Sequence, residues 1–421
     1  MADEWEEYVK DPRMVCKYAS KCYQKNPEHH KNFKHPPQNK RKENRNKRRF
    51  SPYTRDSPRA SPNTTSKEES LSEKKAVNDE SDNKTESVSE ESVNKREDQL
   101  VPEIPEDVTY YDKTTDQDVY KELFLVEMPE DFFKFHECIS GSDKSFEETL
   151  ASVNLEAIGP YELLIGKLPK LEDKELYLAH WRFFYDPPEF QAVLKRNKNS
   201  EYHIGYFRDD PEQKPTFVAS NDSKKDYRIS PMAENIFGAV YQYLQNEKKQ
   251  SPFTAMACQK LMDKIKAFAE ENKISLEEYT MKKRSPHMVT RSFHGAGIVV
   301  PYNKKTQLGY RHLVETDANL KKMFASLEKA TNKNDKDKIL SELQPVITYA
   351  SIALDESDFG TGIEVGIALL CSGLKELEPS ALSSLTAAYT VLNRKAFAEI
   401  IKAHLKYRRK GPDMSILSCK K

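Results

Sequence analysis

The sequence predicts an α+β body: a mixed β-sheet with helices, followed by an all-helical C-terminal half. Three observations carry the prediction. Between residues 105 and 314, short aromatic and β-branched runs alternate with amphipathic stretches, the pattern of strands mingled with helices. From about Glu315 onward apolar residues recur at helical spacing. Hydrophobic residues make up 37% of the 421, and residues 37–104 hold few of them. A segment of that composition cannot bury enough apolar surface to offset its ordering entropy. The expected division is a Cys/His segment at 11–36, a disordered charged linker at 37–104 and a body at 105–410, itself divided at 314/315.

The first segment reads DPRMVCKYASKCYQKNPEHHKNFKHP. Cys16, Cys22, His29 and His35 are spaced C-x5-C-x6-H-x5-H. Two thiolates and two imidazoles suit tetrahedral zinc, and a stretch this short needs a metal to supply its folding energy. His30 adjoins His29 and offers an alternative ligand; spacing favours His29. The other cysteines, Cys138, Cys258, Cys371 and Cys419, are far apart. A disulfide framework is not expected, and a reducing compartment is.

In the linker the charge is segregated. Lys40–Arg49 carries a net +6 and Lys67–Asp107 a net −8, although the whole chain balances 67 basic against 67 acidic residues. The basic run reads as a nuclear import signal, a nucleic-acid-touching arm or plain solubilising charge. Ser51-Pro52, Ser57-Pro58 and Ser61-Pro62 follow it; phosphorylation there would counter the positive charge. No apolar run approaches the ~18 residues of a membrane span, and no apolar signal core opens the chain. A soluble, intracellular protein is expected.

Along the body, 119–126 and 132–139 read as helices, and 161–164, 202–208 and 217–219 as short strands. Pro187-Pro188 and Asp210-Pro211 read as loops. Helices follow at 234–245 and 253–272, and Ile298-Val299-Val300 reads as a strand. Ser292–Gly297 has phosphate-cradle glycines but opens no helix, so a tight turn is expected. His180 and His294 read as hydrogen-bonded structural histidines. No P-loop, nucleophile elbow or G-x-G-x-x-G is present.

One stretch stands out, Leu354 to Glu364. Asp355, Glu356 and Asp358 fall within four positions, between apolar helical patterns, and Gly360, Gly362 and Gly366 follow. Three glycines in seven residues argue for a bend, or for backbone that something else approaches closely. The acids read either as a helix cap (Asp358) with solvated neighbours, or as a corner that presents a general base.

Two resemblances bear on these readings. The first segment resembles the poly(ADP-ribose)-binding zinc finger through Cys16, Tyr18, Cys22, Tyr23, Lys25, Asn26, Pro27, His29, Phe33, His35 and Pro36. The resemblance implies that Tyr18 and Tyr23 contact the adenine and ribose of the polymer, an aromatic stacking role. Ala19 stands where that family has Gly, and Gln24 where it has Arg, which removes one bidentate partner.

Residues 105–405 resemble histone PARylation factor, through Asp186–Gln191, Tyr202-His203, Gly205–Asp209, Phe293–Val300, Gly309-Tyr310-Arg311, Glu315-Thr316-Asp317, Asp355-Glu356 with Asp358, and Phe397–Ile401. That resemblance implies a factor without transferase activity of its own. It docks on the catalytic domain of a DNA-damage-activated poly(ADP-ribose) polymerase, which binds the NAD. Glu356 then serves as general base for a substrate serine on histones, Asp355 holds the polymerase, and Arg311 with Tyr310 supports the docked complex. Nuclear localisation at chromatin and sites of DNA damage follows. Basic and histidine residues of the family beyond this helix do not recur, since 375–379 reads KELEP. Two other readings are kept: a non-catalytic poly(ADP-ribose)-reading scaffold working through the finger, and a nucleic-acid binder working through Lys40–Arg49.

Overall fold

The computed structural model describes residues 11–16, 26–35, 107–141, 144–197 and 199–417. The chain divides into two compact units, Met1–Glu97 and Asp98–Lys421. The expected linker, and the ligand and stacking candidates Cys22, Tyr18 and Tyr23, lie outside the described residues.

In the first unit, β1 (Met14–Val15) pairs in parallel with β2 (Phe33–Lys34), across the short helix α1 (Pro27–Asn32). Asn26 caps α1 by accepting from Glu28 N at 3.0 Å, and Pro27 occupies the first helical position, where its missing N–H costs nothing.

The second unit opens with α2 (Gln117–Phe124), α3 (Glu130–Ile139) and α4 (Phe146–Ala151). Asp116 caps α2, and a reciprocal Ser145/Glu148 capping box starts α4. Then come β3 (Leu155–Ala157), α5 (Pro160–Leu164), α6 (Glu175–Ala179), β4 (Phe190–Arg196), β5 (Tyr202–Phe207), β6 (Phe217–Asp222) and β7 (Ser230–Ala233). The five strands form one sheet in the order β3-β4-β5-β6-β7, every neighbour antiparallel. Its central strands are buried on both faces. Val193, Leu194, Ile204, Tyr206 and Val218 join the first core with the flanking helices, and Phe190, Phe207, Phe217 and Ala219 form a cluster with Ile229 and Ala296.

Helices α7 (Ile236–Gln250), α8 (Ala255–Asn272) and the short α9 (Met281–Arg284) follow. Beyond them the expected all-helical half is α10 (Asp317–Lys329), α11 (Lys333–Asp355), α12 (Phe359–Ser372), a 3-10 turn at Lys375–Leu377, α13 (Glu378–Val391) and α14 (Lys395–Lys406). Helix α12 is apolar nearly all round and buried from Gly360 to Cys371, so it forms the axis of the second core. The chain's last described turn folds back on its first half. Trp181 N donates to Met414 O at 3.0 Å, Ile416 N to His180 Nδ1 at 3.2 Å, and Arg408 Nε to Phe184 O at 2.8 Å.

Two local expectations are overturned. Residues 161–164 are helical: Pro160 starts α5, Gly159 turns the chain at φ 56°, and the Glu162 carboxylate accepts from Gly159 N. Ile298–Val300 makes only an isolated bridge between Ile298 and Thr290. Pro187-Pro188 forms the expected loop, and β4, which the spacing did not single out, follows it with its Phe190–Leu194 run buried. His180 and His294 are buried and hydrogen-bonded. His180 pairs with Glu162, and His294 Nδ1 accepts from Ala296 N at 3.1 Å.

Candidate functional site

The acidic corner sits where α11 ends and α12 begins. Asn332 caps the start of α11, accepting from Asp335 N at 2.8 Å, and Glu356 closes its far end, donating its N–H to Ile352 O at 3.1 Å. The chain reverses at Ser357, whose φ of 69° lies in the left-handed region, and Asp358 N then reaches Ala353 O at 2.8 Å. The bend is therefore made by a serine. The three glycines lie inside α12 and serve close packing. A Cβ at Gly366 would stand 2.5 Å from Leu385 Cγ, and one at Gly360 3.0 Å from Val300 Cγ2 and 3.2 Å from Gly309 O.

This geometry leaves Asp355 exposed and Glu356 half-buried, with 22% of its side chain open to solvent. Arg311 crosses from the loop before α10. Its Nη1 donates to Glu356 Oε2 at 2.6 Å and its Nε lies 3.4 Å from Asp358 Oδ2, while the guanidinium stands over Tyr349 at 5.0 Å. Asp358 does not cap α12 with its side chain. It is 3% exposed and instead accepts from Gly309 N at 3.0 Å, so it fastens the Gly309–Arg311 loop. Thr361 secures the same loop from both sides, accepting from Arg311 N at 3.0 Å and donating to Arg311 O at 2.7 Å.

Tyr310 points inward. It is 5% exposed, and its hydroxyl donates to Glu364 Oε2 at 3.1 Å. Thr290 Oγ1 donates to the other oxygen of Glu364 at 2.7 Å. Burial raises the Glu364 carboxyl above its usual range, against the lowering pull of those two hydrogen bonds, and burial likewise raises the Tyr310 phenol. Sequence reasoning missed Thr361, Tyr349 and Glu364. The signal for Glu364 was present, since it is the one charged residue in the run from Phe359 to Leu370. Such a residue must be paired when its helix is buried.

The corner thus places one partly open carboxylate beside a second, exposed one, and an arginine tied to the body by its own backbone holds the first. The Glu356 carboxylate has the chemistry to accept a proton from a group brought to the surface. Glu356, Asp355 and Arg311 stand together at this surface, and Tyr310 lies beneath it.

In the first unit, Cys16, His29 and His35 bring their ligand atoms within 4.8 Å of one another. His29 Nε2 and His35 Nε2 are 3.1 Å apart, and His29 stacks on Phe33. Burial, followed by the neighbouring His30 and His29, lowers the pKa of His35, which favours the neutral ring a metal requires. His30 is exposed and outside the cluster. A cysteine sulfur and two converging imidazoles are three of the four donors of a structural zinc site, and the fourth candidate, Cys22, lies outside the described residues.

Comparisons with known proteins match the chain in two stretches. A family model described as the PBZ domain matches residues 13–38, and one described as histone PARylation factor 1 matches residues 115–408. The chain is 38% identical to histone PARylation factor 1 of Bos taurus over 303 residues, covering 69% of this chain and 87% of that protein. It is 37% identical to histone PARylation factor 1 of Danio rerio over 292 residues, 68% of this chain and 84% of the relative, and 37% identical to that of Mus musculus over 295 residues, 68% and 85%. Among the described residues no helix is long and apolar enough to cross a membrane. An α+β body of this length, matched along almost all of each relative, makes the chain a member of the histone PARylation factor family.

Proposed function

We propose that this chain is an accessory factor that completes the active site of a DNA-damage-activated poly(ADP-ribose) polymerase and lends it a general base, Glu356, for ADP-ribosylation of serine on histones. The observation that carries the reading is the Glu356 carboxylate, held by Arg311 at 2.6 Å yet still 22% open at an exposed turn. A serine hydroxyl is a poor nucleophile until a positioned base takes its proton. The polymerase holds NAD, the serine oxygen attacks the ribose carbon, nicotinamide leaves, and Glu356 receives the proton. Docking turns an encounter of three bodies into one of two. Exposed Asp355 is the electrostatic handle for the polymerase. Arg311 orients Glu356, and Tyr310, anchored on Glu364, keeps the arginine loop in place. The family membership supports a nuclear site of action at chromatin.

The test mixes the full chain with an activated polymerase, NAD and histone, and measures serine-linked label. Glu356→Gln should lower the rate by about 10²–10⁴-fold, the usual worth of a positioned base, while still binding the polymerase. Equal labelling by both forms would sink the proposal.

A second activity rests on the Cys16–His29–His35 cluster and the PBZ-domain match. With Cys22 these residues hold zinc, and Tyr18 and Tyr23 stack on poly(ADP-ribose). The finger would then keep the factor on chromatin where polymer has already been made, while the body directs the next modification. The division into finger at 11–36, linker at 37–104 and body at 105–410 belongs to this reading.

A further inference from the structure

Away from the acidic corner, α3, α4 and α8 enclose a groove of about 470 Å³. Its floor is apolar, made by Ile139, Ala257 and Leu261, and three lysines, Lys144, Lys260 and Lys264, stand around it. No acidic residue lines it among the described residues. Lys260 and Lys264 are one turn apart on α8 and share a face. The Lys264 ammonium lies over the α3–α4 turn, 3.6 Å from where a Cβ on Gly141 would be, and that turn carries Lys144. None of the three makes an ion pair among the described residues, whereas Lys134, Lys167 and Lys266 nearby all do. Glu148, four positions on from Lys144, is engaged by Ser145 N at 2.9 Å.

The groove also selects among anions. The Thr149 and Ser152 hydroxyls that line it donate to Ser145 O and Thr149 O, so among its described lining residues the lysines are the remaining side-chain donors. Its described lining residues include no arginine for bidentate phosphate binding and no aromatic ring for base stacking. Recognition must therefore come from charge at the rim and apolar contact on the floor. Met256 extends that floor outward, 76% exposed, and Phe253 at the α7–α8 turn is wholly exposed. Large apolar side chains held in water beside a groove mark a surface that a protein covers.

We propose that this groove docks an acidic peptide segment of a partner protein. One aliphatic or aromatic side chain of the segment sits on Ile139, Ala257 and Leu261, and flanking Asp or Glu residues face Lys144, Lys260 and Lys264. The interface belongs to the first core, and the proposal holds or fails without reference to Glu356.

The test uses the full chain and a fluorescein-labelled synthetic peptide in which Glu-Asp pairs flank Leu and Phe. Anisotropy measures binding, and the Met256 ε-methyl NMR signal reports where it occurs. The peptide should bind saturably and shift the Met256 signal. The double variant Lys260→Glu, Lys264→Glu should weaken binding by about tenfold or more. Lys266→Glu, on the same helix but off the groove, should leave it unchanged, and circular dichroism verifies that both variants fold. The proposal is overturned if binding does not saturate, or if Lys266→Glu costs as much as the double variant, which would mean diffuse attraction. It is equally overturned if an oligothymidine strand of the same length binds more tightly through the same two lysines.

Discussion

Gly309 offers the sharpest probe of how the arginine reaches the acidic corner. Its φ is 111°, a region that side-chain-bearing residues rarely occupy, and a Cβ there would stand 2.1 Å from Pro301 O. That oxygen is backbone and cannot swing aside. Gly309→Ala should therefore cost about 1–3 kcal/mol of conformational strain and about 1–3 kcal/mol more for the forced contact, near 4 kcal/mol in all. Gly295 provides the control. Its φ is 79°, but nothing lies within 4 Å of its virtual Cβ, so Gly295→Ala carries strain alone, about 1–2 kcal/mol. With an unfolding entropy of about 2 cal/mol/K per residue over roughly 300 residues, 4 kcal/mol lowers the melting temperature by about 6 °C, and the control by about 2–3 °C. Calorimetry on both variants reads the difference. Because the loop carrying Tyr310 and Arg311 must move to relieve the clash, serine labelling should fall in the Gly309 variant and persist in the Gly295 variant. Melting temperatures within about 1 °C of each other would refute the idea that a close backbone approach sets this loop.

Asp358→Ala should destabilise the body by about 3 kcal/mol, since it strands a nearly buried Arg311 nitrogen and the Gly309 N–H. Asp358→Asn should cost less, because the amide oxygen can still accept from Gly309, and urea unfolding separates the two. His294 predicts a pH dependence. Burial, ahead of the nearby Arg284, pushes its pKa down to about 3, so between pH 6.5 and 3 the unfolded chain binds a proton that the folded one does not. Its contribution to stability is full above pH 6.5 and is lost as pH falls, by up to about 1.4 kcal/mol per unit. His294→Asn keeps an acceptor for Ala296 N, and its stability should fall less steeply than the parent's between pH 6.5 and 4.5; parallel curves would contradict this. For the finger, Cys16→Ala in the full chain should abolish the visible cobalt–thiolate absorption of the Co²⁺-substituted site and weaken poly(ADP-ribose) binding. An unchanged spectrum would remove Cys16 from the ligand set.

How far the sequence discloses this structure depends on where the deciding contact lies. The helical half was legible because its apolar spacing and caps are local: Thr316 and Asn332 each sit just ahead of a periodic run and accept from the third residue on. Strands β5 and β6 were legible for the same reason. Residues 161–164 were misread because Tyr-Glu-Leu-Leu carries no strong preference, and the helix is imposed by Pro160 and by Glu162 folding back onto Gly159. The glycines of α12 suggested a bend because Leu385, which packs against Gly366, lies nineteen positions further on. At the corner, the carboxylates stand out as a cluster in one dimension. The strap formed by Asp358, Thr361 and the Gly309–Arg311 loop joins segments some fifty positions apart, and spacing cannot reveal such a closure.

The return of residues 414–416 onto 180–181 has a consequence for synthesis. The first half of the body is translated more than two hundred residues before the strand of backbone that completes its hydrogen bonds. A nascent chain therefore has to hold the Trp181 N–H and the His180 Nδ1 unmet until the ribosome has nearly finished. Ribosomal stalling or premature termination near residue 410 should accordingly yield a product that chaperones retain, even though every residue of the acidic corner is already present.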